Sequence, residues 1–172
     1  GLLMSGFMLL VSHLGEMDPS ITPRMPVLNS PLLSIHVSII MISYALLSLT
    51  FISAIAYFLT CNSKRKSVMA ANRQLTVLSQ IFLYPAITTL GLGIFIGAIW
   101  ANISWGSYWG WDPKETWALI TFMIYAIPLH TNSFSALGKP KNYHLFMLLS
   151  FFSILMTYFG VNYILGGMHS YA

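Results

Sequence analysis

The stretch Leu33–Leu59, LSIHVSIIMISYALLSLTFISAIAYFL, decides the fold class. It is long, unbroken and apolar, with His36 as its one readily titratable group and no formal charge. A bilayer crossing needs about 20 such residues as a helix. Comparable runs follow at Val77–Ile99 and Tyr143–Leu165, a marginal one at Lys114–Leu129, and a shorter one opens the chain at Leu2–Leu14. None shows the short alternation of barrel strands. Across all 172 residues 56% are hydrophobic and 7% charged, against about 25% charged in soluble domains, so the chain cannot cover its surface in water. In lipid the backbone must satisfy itself. The expected fold is all-α: a polytopic transmembrane helix bundle of about four full spans plus a truncated first one.

Charge sets the expected orientation. Lys64, Arg65, Lys66 and Arg73 follow the second run, and Lys139 and Lys141 follow the fourth. The other side carries only Arg24 and Lys114 among basic residues, so the first group faces the cytoplasm by the positive-inside rule. The outer side then holds Gly15–Pro31, Asn102–Pro113 and the tail Gly166–Ala172. The net charge of +4 is split between short loops, which argues against a nucleic-acid patch. A single cysteine, Cys61, excludes an internal disulfide framework and a CxxCH haem-attachment motif within the chain. Gly1 opens inside an apolar stretch with no starting Met or signal peptide, and we expect the trailing part of a longer protein.

The outer loop Trp105-Gly106-Ser107-Tyr108-Trp109-Gly110-Trp111-Asp112 concentrates large aromatics between glycines. An interfacial aromatic belt accounts for scattered rings. A dense cluster fits a flat apolar ligand better, because indole faces offer large contact area at little entropic cost. Asp112-Pro113-Lys114-Glu115 reads as a helix start, with Asp as N-cap, Pro at the first position and Glu closing a capping box. His36 and His169 fall at the depth of this loop. Taken singly each is a polar helix-end residue; together they suit axial ligation of a porphyrin iron, with zinc or copper as rivals. His130 lies toward the inner end of the fourth run, either as a functional intramembrane histidine or as a side chain snorkelling to the interface. His13 and His144 read as structural, and Gly91, Gly93 and Gly97 as packing positions between helices.

The segment WGSYWGWDPKETWALIT, Trp105 to Thr121, resembles the WWD motif of the haem-handling protein superfamily, and its form WGWDPKETWALIT is similar to the CcsA (ResC) branch of System II cytochrome c biogenesis. MPVLNSPLLSIHV (Met25–Val37) and GVNYILGGMHSYA (Gly160–Ala172) agree with the same branch. The resemblance implies one transmembrane haem-handling domain over residues 1–172, with haem b as the bound group. By position it implies His36 and His169 as external axial ligands and His130 as the transmembrane histidine of an inner haem site. Trp105, Trp109, Trp111 and Asp112 would form the outer haem-contacting loop. It further implies a cytochrome c synthase (haem lyase) component working with a CcsB/ResB-type membrane protein, the CxxCH motif of an apocytochrome c and a thioredoxin-like thiol reductant. The site would be periplasmic or lumenal, in a bacterial inner or thylakoid-type membrane. A haem carrier without ligation activity, and a structural subunit anchored by its aromatics, are the alternatives. Phe122 and Pro128 depart from the branch, where Trp and Tyr are expected.

Overall fold

The computed structural model describes residues 30–130 and 134–165. The expected first segment, Leu2–Leu14, lies outside the described residues, as does His13. Among the described residues there are helices and no strand: α1 (Pro31–Thr60), α2 (Lys66–Trp105), α3 (Pro113–Ala126) and α4 (Pro140–Leu155). Two 3-10 turns, Ile127–His130 and Ser135–Gly138, join α3 to α4, and α4 continues as a π-helix over Met156–Leu165. The protein is an all-α membrane helix bundle.

Three helices, Pro31–Thr60, Lys66–Trp105 and Pro140–Leu165, are long and apolar enough to cross a bilayer. The fourth run is shorter: α3 and its 3-10 extension together rise about 29 Å, close to the roughly 30 Å hydrocarbon thickness. α2 begins well before Val77, so Lys66 and Arg73 ride on its first turns instead of lying in a loop.

Hydroxyl-rich helices survive in an apolar medium because the side chains bond back to the preceding turn. Ser38, Ser48 and Ser53 donate to the carbonyls of Ser34, Tyr44 and Leu49 at 2.7–2.8 Å. Small residues then let backbones approach. Ser43 sits fully buried and donates to the Ala86 carbonyl of α2 at 2.8 Å. Pro85 lies inside α2 and supplies no amide proton to the turn before it. Leu47, Leu83, Leu90, Tyr125, Tyr143 and Met147 form the core between the four helices, and Phe51 of α1 stacks on Phe151 of α4 at 4.1 Å. Large apolar side chains such as Phe95, Ile103 and Leu59 point outward and are mostly exposed, as a lipid-facing surface requires.

The topology puts the start of α1, the end of α2, the start of α3 and the π-helical end of α4 at one end of the bundle. The basic residues Lys64, Arg65, Lys66, Lys139 and Lys141 gather at the other.

Candidate functional site

The tryptophan loop is anchored at both ends. α2 stops at Trp105 because Gly106 adopts φ 79°, a left-handed conformation natural to glycine, and its N–H bonds back to the Asn102 carbonyl at 2.9 Å. α3 starts with the expected capping box. The Lys114 amide donates to Asp112 Oδ2 at 3.1 Å, and Glu115 Oε2 accepts from the amides of Gly110 (2.8 Å) and Asp112 (3.3 Å). Between these anchors Ser107 Oγ donates to the Trp109 carbonyl. Trp111 takes φ 56°, the only positive φ outside glycine among the described residues. Such a backbone costs about 1–3 kcal/mol and persists only where its surroundings hold it. Here the caps on either side do so, and the indole of Trp111 is left 70% exposed.

Below the loop, His36 reaches across from α1 to α2. Its Nδ1 lies 2.7 Å from the Gly93 carbonyl oxygen. A carbonyl only accepts, so Nδ1 carries the proton, and in the neutral ring the lone pair is on Nε2. Gly97 makes the approach possible: a Cβ there would come within 2.6 Å of His36 Cε1 and 2.8 Å of Nδ1. Gly93 also lies against Ile40, so the two helices meet closely where the imidazole is seated.

His36 forms one wall of a cavity of about 210 Å³. Tyr44, Ile94, Tyr108, Trp109, Lys114, Glu115 and Thr157 line it as well, so all four helices contribute. Trp109 Nε1 is buried and has no hydrogen-bond partner. Lys114 Nζ donates to Asn162 Oδ1 at 2.9 Å, tying the start of α3 to the π-helical end of α4.

Of the residues expected from sequence, His36 and Trp109 meet at this cavity. Trp111 packs edge-on against Trp109, centroids 5.9 Å apart, at the exposed rim. Trp105 packs edge-on against Trp100 at 4.8 Å, and the buried Trp100 lines the cavity. Asp112 is buried and caps α3 without lining the cavity. His130 sits at the opposite end, exposed in the 3-10 turn after α3, where its carbonyl accepts from the Phe134 amide. His169 lies outside the described residues. Tyr44, Lys114, Glu115, Thr157 and the glycine notch are additions to the expected set; Gly93 and Gly97, expected as packing positions, do bring α1 against α2 and also seat His36. His144 is built into the core, stacked on Tyr57 at 4.3 Å and paired through Nε2 with Thr76 Oγ1 at 3.0 Å. Phe122 lies against Gly91, and Pro128 is buried in the 3-10 turn; neither lines the cavity.

The sequence is similar to those of several known proteins. The chain is 45% identical to Protein NrfI of Wolinella succinogenes over 99% of its own length and 19% of that protein. It is 37% identical to the cytochrome c biogenesis protein CcsA of Chlamydomonas reinhardtii, over 87% of the chain and 43% of the relative. It is 35% identical to CcsA of Cyanophora paradoxa, over 88% and 61% respectively. The chain thus spans less than two thirds of the length of each. The model of the cytochrome c assembly protein family matches residues 1–169. A membrane helix bundle with this sequence belongs to the cytochrome c assembly protein family.

Proposed function

We propose that the tryptophan-loop end of the bundle binds haem b as substrate and presents it for covalent attachment to an apocytochrome c. The observation that carries the reading is the seating of His36. A backbone carbonyl at Nδ1 fixes the tautomer with the ring's lone pair on Nε2, the arrangement by which ligating histidines are commonly oriented. The glycine notch holds the ring in place, and aromatic side chains flank the same cavity. His169 is the second axial ligand in this reading, and His130 belongs to an inner site through which haem enters.

The residues present fit such a group. The cavity is below the roughly 300–1,000 Å³ of pockets that enclose a drug-sized ligand, so it takes one part of a macrocycle. The remainder lies against the exposed rings of Tyr108 and Trp111. Partial exposure suits the reaction, since a second protein must reach the ligand's edge. Each CxxCH thiol adds across a vinyl group: a sulfur–carbon bond forms and the thiol proton goes to the neighbouring carbon. The chain supplies orientation and proximity. A CcsB/ResB-type membrane protein completes the synthase, a thioredoxin-like reductant keeps the thiols reduced, and the site faces the periplasm or lumen.

The test is His36→Ala in the full-length protein. Copurifying haem is expected to fall, cytochrome maturation to stop, and added imidazole to restore part of both by occupying the vacated axial position. A full haem complement with an unchanged visible spectrum refutes His36 as a ligand.

A further inference from the structure

Away from the tryptophan loop, the outward side of α2 changes character along its length. Lys66, Met69, Arg73, Val77 and Ile81 recur at helical spacing and are all exposed, while Asn72, Ser79 and Leu83 turn inward to the bundle. Among the described residues Arg73, Gln74, Val77, Leu78 and Ile81 line a groove of about 310 Å³. One end of it offers a guanidinium and a primary amide, and the rest is aliphatic. Depth matches this division. At about 1.5 Å per residue, Arg73 lies about 48 Å along the α2 axis from Trp105. A bilayer with its headgroup layers is roughly 40–45 Å thick, and a helix tilt within the ordinary range takes up the difference. With the tryptophan loop at one surface, Arg73 stands in the opposite headgroup layer and Val77, Leu78 and Ile81 reach into the acyl region.

Lys64, Arg65 and Lys66 are exposed at the same end. Both acids among the described residues, Asp112 and Glu115, belong to the α3 cap at the other. Cations beside an aliphatic groove complement an anion that carries acyl chains, and a guanidinium grips a phosphate through paired charge-assisted hydrogen bonds. We propose that this groove binds an anionic phospholipid, with its phosphate on Arg73 and Gln74 and an acyl chain along Val77, Leu78 and Ile81. The site is separate from the tryptophan end and needs nothing bound there. It gives the basic end of the bundle a specific lipid partner, beyond the general attraction of basic residues to an anionic membrane surface.

The test adds phosphatidylglycerol or phosphatidylcholine of matched acyl chains to the full-length protein in detergent. Lipid retained in native mass spectra and the thermal unfolding temperature are the two readouts. Phosphatidylglycerol is expected to be retained and to raise the unfolding temperature, and phosphatidylcholine to be held more weakly. Arg73→Gln is expected to weaken phosphatidylglycerol about fivefold, the effect of one basic residue near an anionic surface. Val77→Phe fills the groove while keeping the cations, and is expected to lose retained lipid as well. Lys139→Gln removes the same charge at the same end without touching the groove, and is expected to leave retention unchanged. Equal retention of the two lipids by the unaltered protein overturns the site. So does an equal loss in Arg73→Gln and Lys139→Gln, which reduces it to diffuse attraction, or undiminished retention in Arg73→Gln and Val77→Phe. The same thermal shift with inorganic phosphate alone, or a lipid-free dimer in the spectra, assigns the groove to another occupant and overturns the lipid. Arg73 and Val77 are both exposed, and either variant with the unaltered protein decides.

Discussion

Replacing Gly97 by Ala separates two effects of opposite sign. In an ordinary helix interior the change is favourable by about 0.8–1.0 kcal/mol, because glycine gives up more backbone freedom. At Gly97 the new methyl would lie 2.6 Å from His36 Cε1 and 2.8 Å from Nδ1. Carbon atoms rest at about 3.5–4.0 Å, so the imidazole must retreat by about 1 Å. That displacement breaks the 2.7 Å bond to the Gly93 carbonyl. Losing the bond costs about 0.5–1.5 kcal/mol, and overpacking adds about 1–3 kcal/mol. The sum exceeds the helix gain, so Gly97→Ala destabilises the protein and displaces the His36 imidazole together. The assay is a pair of measurements on the full-length protein in detergent, thermal unfolding and the visible spectrum after haem titration. The control is the cycle with His36→Ala: once the imidazole is gone, Gly97→Ala is expected to be neutral or stabilising. A stabilised Gly97→Ala protein with an unaltered haem spectrum refutes the notch.

Two further outcomes follow from the separation of the bundle's ends. His130→Ala is expected to lower total haem, whereas replacing Trp109 and Trp111 together by Ala weakens outer-site stacking by about 1 kcal/mol per lost aromatic contact and alters the outer spectrum; total loss in the tryptophan variant with a normal complement in His130→Ala reverses the order of sites. A reporter active only outside the cytoplasm is expected to be active when fused after Ala172 and silent when inserted between Lys64 and Lys66, and the opposite pattern inverts the sidedness.

The helices were legible because lipid leaves the backbone few alternatives, and uninterrupted apolar runs such as Leu33–Leu59 have one solution in it. The α3 start was legible for a local reason: Asp112, Pro113 and Glu115 carry the capping geometry in their spacing, and the hydrogen bonds follow it. Element ends were harder. Nothing in the polarity of Lys66–Thr76 breaks a helix, so α2 continues through charged residues that a hydrophobic window trims away. The π-helix over Met156–Leu165 leaves no mark in the apolar pattern either, although its wider turn delivers Thr157 and Tyr158 to the cavity. Such segments recur at functional sites.

The site itself was half legible, and the division has a physical cause. Residue types announce chemistry, so His36 and the tryptophans stood out. What positions them is backbone and absence: the Gly93 carbonyl that chooses the tautomer, and the missing side chain at Gly97 that leaves room for the ring. Both belong to α2, 57 residues from His36 in the case of Gly93, and a glycine at helical spacing in an apolar run looks the same whether it packs against leucine or seats an imidazole. His144 shows the converse. Its residue type suggests a ligand as readily as His36 does, yet it is buried among Tyr57, Tyr143 and Thr76, where its ring serves packing. The difference lies in what each ring adjoins: a cavity shared by four helices in one case, a closed polar seam in the other. The arrangement at the tryptophan end therefore depends on the close approach of α1 and α2 as much as on the residue types gathered there.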